Sequence, residues 1–395
     1  MDVYQKPCYK IMKTSCQLIG QWPYQSSWKS LVLITVIWIA FFLQAIPQII
    51  AMVVHRDDWA ILFEAFSSFV IDLAFIIKYY NTIQKSDLVK ELFDSMRHDW
   101  SGLSHNSEIA SMQDHANLGY LLAASYAGIG YVSVMIFVTE PVLPRIINLF
   151  TETNDTISPK FSLPLEYIII DKEKHYPVMF TISNIFVMNI IVTVISCDIT
   201  LITFVTHACG LFAVVGSRLK NSPVDASIKR GIVKPLPNSM DIPYRHLVFC
   251  IRGHKRALEF AEQLEYAYTV SFGILVGLNL PVISVTGLQI ITQSNTVEQL
   301  LKYLSFTLSV VMHLFFLCFL SQQLTDTSSQ IQEYIADVKW YHISTKAQKL
   351  LILMTMNSQM PCKLTAAKIM ELSMENFGMM MKTCGSYFTM LLSMQ

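Results

Sequence analysis

Apolar positions along the chain gather into seven long runs rather than into amphipathic stripes. Uncharged or nearly uncharged stretches occupy residues 30–54, 59–77, 119–144, 178–217, 266–292, 303–325 and 377–394, and each is predicted to cross a membrane as a helix. Pro47 and Pro281 lie inside their runs, where neighbouring helices satisfy the freed carbonyl. The fourth run, of forty residues, would extend about 60 Å as one helix, roughly twice the hydrocarbon thickness. It is expected to project well beyond the bilayer.

Amphipathic segments flank several runs. Residues 85–100 place Leu88, Leu92, Phe93 and Met96 on one helical face, with Lys85, Lys90, Glu91 and Asp94 elsewhere, a pattern that extends the second span. A similar stretch from His246 to Glu265 leads into the fifth span, and the sixth continues through Gln330 towards Trp340. Helices protruding on one side are expected to pack together. Between them, residues 221–243 hold Pro223, Gly231, Pro235, Pro237 and Pro243 and read as a flexible loop.

The last run is different. Phe377 to Met394 rises only about 27 Å and carries Lys382, Thr383, Ser386, Tyr387, Thr389 and Ser393. So many polar groups exclude lipid on all sides and leave two readings. One is a pore lining with a wet face; the other is a buried helix whose hydroxyls bond back to its own carbonyls.

Composition confirms the class. Of 395 residues, 53% are hydrophobic and 15% charged, too apolar for a soluble protein. The fold class is an all-α membrane protein. Net charge is zero, so nothing suggests nucleic acid as a partner. The first 29 residues are polar and basic, without a cleavable signal peptide. The resulting division is a terminal segment 1–29, spans one to four over 30–217 with a loop at 145–177, a loop and helix extension at 218–265, spans five and six over 266–325, an anchor segment 326–376, and a last span 377–395.

Basic residues orient this arrangement. Alternate segments hold 22 lysines and arginines, densest between Arg218 and Arg256, whereas the opposite set offers Arg56, Arg145, Lys160, Lys172 and Lys174. This puts the N-terminus in the cytoplasm and the C-terminus outside. The one glycosylation acceptor, Asn154-Asp155-Thr156, then falls in an outer loop. All eight cysteines fall in cytoplasmic segments or spans, so no extracellular disulfide is expected. A G-protein-coupled receptor would have its N-terminus outside, and neither Asp-Arg-Tyr after span three nor Asn-Pro-x-x-Tyr in span seven is present.

Three stretches carry a family resemblance. Ile19-Gly20-Gln21-Trp22-Pro23-Tyr24-Gln25 precedes the first span; Leu364-Thr365-Ala366, then Met370-Glu371-Leu372-Ser373-Met374-Glu375-Asn376-Phe377, precede the last; and Lys382-Thr383-Cys384-Gly385-Ser386-Tyr387-Phe388-Thr389-Met390-Leu391-Leu392 ends it. Along its whole length the chain resembles an insect odorant receptor, with Met390 where the family's Ser-Tyr-Phe-Thr-Leu-Leu finish has Leu. The resemblance implies an odorant-gated, non-selective cation channel of four subunits in the plasma membrane of a sensory neuron dendrite, with the last helices lining a central pore. A co-receptor subunit is the implied partner in a hetero-tetramer, and the short loop after span four marks this chain as the odour-tuning subunit. The related gustatory receptors end in a different motif.

By the same resemblance Met390 and Met394, three and seven residues after Tyr387, form the apolar gate. Their spacing stacks them on one helical face, although two methionines so spaced also suit a packed core. Lys382 lies deeper, either snorkelling to the interface or facing the pore. A pocket for a small volatile is expected between the outer halves of the spans, from Phe63, Phe66, Val70, Tyr131, Met135, Phe180, Asn184, Met188, Tyr303 and Phe306. Aromatic belts at the interface would claim some of these residues. Asp72 must face protein or water, and Gly273 with Gly277 suits close helix packing. Without metal-ligand spacing, phosphate loop or nucleophile motif, neither a cofactor nor an enzyme is expected. The alternatives are a metabotropic chemoreceptor acting through a G protein, a gustatory receptor channel, and a transporter, which should show internal repeats.

Overall fold

A computed structural model describes residues 3–144, 161–166, 175–221, 242–294 and 296–394. Asn154, most of the loop at 145–177 and the proline-rich stretch lie outside the described residues. Ten α-helices are present among those described. They are α1 (Lys10–Leu18), α2 (Ser27–Val54), α3 (Trp59–Gln84), α4 (Ser86–Ser101), α5 (Asn106–Thr139), α6 (Tyr176–Lys220), α7 (Ile242–Thr292), α8 (Val297–Ala336), α9 (Thr345–Ser358) and α10 (Met374–Ser393).

Six of them, α2, α3, α5, α6, α7 and α8, are long and apolar enough to cross a membrane. The forty-residue run is one helix: α6 spans 45 residues and α7, which absorbs the amphipathic stretch before the fifth span, spans 51. At helical rise these are about 70 and 75 Å long, so both extend far past any bilayer. Their extensions pack with α4, α5 and α8 around Phe93, Phe204, Phe212, Phe260 and Leu324, all fully buried. The second span does not run straight on: the helix breaks at Lys85, and α4 begins anew.

The N-terminal segment is folded onto this end. Tyr4 is buried among Tyr9, Trp22 and Phe93, its hydroxyl donating to Phe93 O at 2.5 Å. Thus Trp22 of the Gly-x-Trp-Pro stretch serves as a packing residue. Asp99 of α4 accepts from Arg256 Nε at 2.9 Å and His207 Nε2 at 3.2 Å, tying α4 to α7 and α6.

Before the last helix, β1 (Thr365–Ala366) and β2 (Met370–Glu371) form an antiparallel hairpin. Its turn uses positive φ at Ala367 and Lys368, which L-residues adopt only under restraint. The restraint is visible: Ala367 N donates to Thr269 O at 2.8 Å, and both Thr365 N and its hydroxyl donate to Glu265. Gly273 therefore receives a turn rather than another helix. A Cβ there would lie 2.6 Å from Ala367 Cβ, whereas Gly277 faces open space. Ser373 caps α10 by accepting from Asn376 N at 3.2 Å, so the last helix starts three residues before its apolar run.

Candidate functional site

Between α2, α3, α5, α6, α7 and α8, and closed on one side by segment 161–166, lies a cavity of about 160 Å³. Its walls are mostly aliphatic, among them Ile71, Ile129, Val187, Ile191 and Val310, with Tyr126, Phe137 and Phe306 among the aromatics. On α5, Ser133 presents a small side chain to the cavity, while Gly130 gives its room to Ile195 of α6, whose Cδ1 would lie 2.7 Å from a Cβ there.

Polar groups gather at one part of this wall. Lys78 Nζ donates to Asp198 Oδ1 and Oδ2 at 2.5 and 2.6 Å, and the Tyr126 hydroxyl donates to Asp198 Oδ2 at 2.5 Å. Removing both charges from water costs several kcal/mol each, offset only because the pair is bidentate and fully hydrogen-bonded. Lys78 Nζ also reaches His313 Nε2 at 2.7 Å. An ammonium has no lone pair, so Nε2 accepts and Nδ1 carries the proton. Nδ1 lies 3.2 Å from Asn279 Nδ2, so a proton on Nδ1 is accepted only with the Asn279 amide turned to place its oxygen there. Four helices are thereby joined through α3, α6, α8 and α7, with α5 adding Tyr126. Asp72, 2% exposed, also lines the cavity; with the Gln48 amide nitrogen turned towards it, Nε2 donates to Asp72 Oδ2 at 2.7 Å.

A second, more polar chamber of about 340 Å³ adjoins the first, and Leu163 lines both. Here Lys302 pairs with Glu64 at 2.5 Å and Glu140 at 3.6 Å, a further basic residue on the loop side of the bundle. Segment 161–166 is pinned by Ser162 Oγ donating to Asn184 Oδ1 at 3.0 Å, by Glu166 N donating to Pro47 O at 3.1 Å, and by the His55–Glu166 contact at 3.0 Å.

The last helix lies apart from the cavity. Along α10 only Met380 and Cys384 are buried, packed on α7, while Phe377 meets Phe315 of α8. Lys382, Ser386, Thr389 and Ser393 are all exposed and at 100° per residue fall within an arc of about 60°. This arc is opposite the buried face, so the polar stripe points away from the subunit body. Tyr387, Met390 and Met394, exposed by 50%, 59% and 74%, form the flanking stripe. The hydroxyls also bond back, as Ser386 Oγ does to Lys382 O at 3.1 Å and Ser393 Oγ to Met390 O at 2.7 Å. Both features of the two sequence readings are therefore present, except that the helix is not buried.

Of the aromatic and polar residues expected at the pocket, Phe306 lines the cavity and Tyr303 lines the second chamber. Asn184 anchors Ser162, and Met188 packs beside Leu163. Val70, Phe66 and Tyr131 pack in the main core, Phe63 lies against Trp59, and Phe180 stacks on Tyr176. Met135 is exposed on the outside of α5. The sequence reading did not single out Lys78, Tyr126, Asp198, Asn279 or His313; an Asp inside the fourth apolar run and a Lys at the end of the second were the available signal.

Fold and cavity together define a multi-pass, mostly helical membrane protein with an apolar cavity between its spans. A family model described as 7tm Odorant receptor matches residues 59–385. The chain therefore belongs to the odorant receptor family, a family of receptors and not of enzymes. It is 20% identical to Odorant receptor 22c of Drosophila melanogaster, over 97% of this chain and 96% of that one. It is 21% identical to Odorant receptor Or2 of Anopheles gambiae over 82% and 84%. Among solved structures it shares its seven-helix fold with the insect olfactory receptor OR5 from Machilis hrabei in complex with eugenol. The TM-score is 0.79 at 14% identity, covering 98% of this chain and 97% of that one.

Proposed function

We propose that this chain is the odour-tuning subunit of a heteromeric, odorant-gated cation channel. A small volatile occupies the cavity, and four last helices, from this chain and a co-receptor, surround a central pore. The carrying observation is the exposed polar stripe of α10, opposite the face that packs on its own subunit. In a membrane-crossing helix such a stripe demands water or protein. In this reading the long extensions of α6, α7 and α8 are cytoplasmic, the C-terminus is outside, and Asn154 carries glycan.

The route from cavity to pore runs through α7. Asn279 meets His313 at the cavity, and within two turns Ser284 Oγ donates to Cys384 O at 3.1 Å on the last helix. Pro281, between them, removes one backbone donor and leaves α7 free to bend there. A ligand opens the channel by binding better when α7 is in its open position. Met390 and Met394 then leave the axis, ending an apolar constriction, and Tyr387 flanks the path.

The test is a membrane current in cells expressing this chain with and without an insect co-receptor, challenged with a mixed odour panel while G-protein cycling is blocked. A fast cation current that needs both subunits supports the proposal. A current abolished by the block overturns it in favour of a metabotropic receptor, and a current from this chain alone overturns the heteromeric part.

A further inference from the structure

The cavity's hydrogen-bond ledger, taken group by group, identifies what its occupant must bring. Ser68 Oγ donates to Glu64 O at 2.8 Å and Ser133 Oγ to Ser305 O at 2.7 Å. Asp72 is served by Gln48, and Lys78, Tyr126, Asn279 and His313 satisfy one another through Asp198. Two groups that line the cavity are left over. Gln44 Oε1 of α2 and Ser309 Oγ of α8 are both buried without a hydrogen-bond partner among the described residues. Gln44 as a whole is 4% exposed.

A buried polar atom without a partner is costly, typically about 1–3 kcal/mol, so whatever enters is selected for its ability to satisfy it. An amide oxygen only accepts, and therefore needs an O–H or N–H from the occupant. A serine hydroxyl both donates and accepts. A ligand hydroxyl suits either group, giving its proton to Gln44 or exchanging a hydrogen bond with Ser309. Charged donors are disfavoured because the rest of the wall is aliphatic and the carboxylates present are already paired or hydrogen-bonded. Size follows from volume: an apolar cavity of about 150 Å³ accepts benzene, so a body of roughly six to ten heavy atoms fits this one.

We propose that the cavity of this chain is selective for compact alcohols and phenols, with Gln44 and Ser309 as the specificity-determining residues that hold the hydroxyl. This rests on the reading of the cavity as the ligand site.

The experiment uses the full chain with its co-receptor and compares currents evoked by cyclohexanol, cyclohexanone and methylcyclohexane, three bodies of nearly one size that differ in hydrogen-bonding capacity. Cyclohexanol is expected to act at about tenfold lower concentration than either analogue. Ser309→Ala and Gln44→Leu should each remove most of that preference, bringing the potency of cyclohexanol close to that of methylcyclohexane in the same variant. Ser309→Ala is the milder change and keeps the test valid where Gln44→Leu fails to reach the surface. Equal potency of the three, preference for the ketone, survival of the preference in Ser309→Ala, or silence to all three in cells that respond to a broader panel overturns the proposal. The underlying reading is tested separately by Ile191→Phe, which fills the cavity. If every odour response persists unshifted in that variant at normal surface level, the cavity is not the ligand site.

Discussion

Ser284 Oγ lies 3.1 Å from the carbonyl oxygen of Cys384 and 3.0 Å from that of Leu280 on its own helix, sharing its one proton between them, and the Cys384 thiol in turn faces Leu280 O at 3.7 Å. The last helix is thus tied to α7 at one residue, close to Pro281. Its other buried residue, Met380, is apolar, and at its start Met374 N donates to Gln322 of α8 at 3.4 Å. Ser284→Ala removes a net hydrogen bond of about 1 kcal/mol. The expected outcome is a several-fold shift of the odour concentration–response curve, or a smaller maximal current, at unchanged surface expression. An unshifted curve would place the coupling elsewhere.

The buried Lys78–Asp198 pair makes a different demand. Both side chains are less than a tenth exposed, so removing one charge strands the other. Lys78→Met and Asp198→Asn are each expected to destabilise the protein by about 3–5 kcal/mol and to abolish surface expression. The double variant Lys78→Met/Asp198→Leu should recover part of that loss, because no unpaired charge remains. Thermal unfolding of the solubilised protein, followed by fluorescence, checks the order of the three.

Much of the fold was legible because a run of apolar residues reports membrane crossing directly, and residues 178–217 announced a helix longer than a bilayer. The N-terminal packing was not, since Tyr4, Tyr9 and Trp22 are scattered among lysines and acquire meaning only against Phe93. At the cavity the difficulty was helix rotation. Aromatics such as Phe63, Phe66 and Met135's neighbour Tyr131 mark the depth of a helix in the membrane but not its face. The cavity's shape depends instead on small residues such as Ser133 and on Gly130, which lets Ile195 pack against α5, and these carry no periodic signal. The link from Lys78 to Asp198 spans 120 positions, beyond any local pattern.

At the extended end, acid should loosen the helix bundle. Burial alone would raise the Asp99 carboxyl, but hydrogen bonds and charge from His207 and Arg256 outweigh it and hold it below the usual carboxylate range. Glu108 is likewise held down, by Arg218, against the effect of its burial. A depressed folded-state value means the stabilisation is fully present above the ordinary carboxylate value, near pH 4, and is lost as pH falls through the lower one. Melting temperature should therefore be flat from neutrality to about pH 5 and decline below pH 4. Asp99→Asn should lower it by an amount worth about 2–3 kcal/mol at neutral pH and flatten the acid limb.

Lys382 is the one basic side chain on the polar stripe of α10, aligned with Ser386, Thr389 and Ser393 and pointing away from its own subunit. A fixed positive charge beside a cation path lowers the local cation concentration, because the field adds to the barrier for entry. Its neutralisation in Lys382→Gln keeps length and polarity while removing that repulsion. Single-channel conductance for monovalent cations is expected to rise, most at low ionic strength where screening is weakest. Odour potency should remain unchanged, since the residue lies far along the chain from Gln44 and Ser309 and on another face of the protein. In a heteromer each copy of this chain contributes one such charge, so conductance should also vary with the number of Lys382→Gln subunits per channel. Conductance and cation preference identical to the parent at low salt would take Lys382 out of the ion path and leave it as a residue that snorkels to the interface.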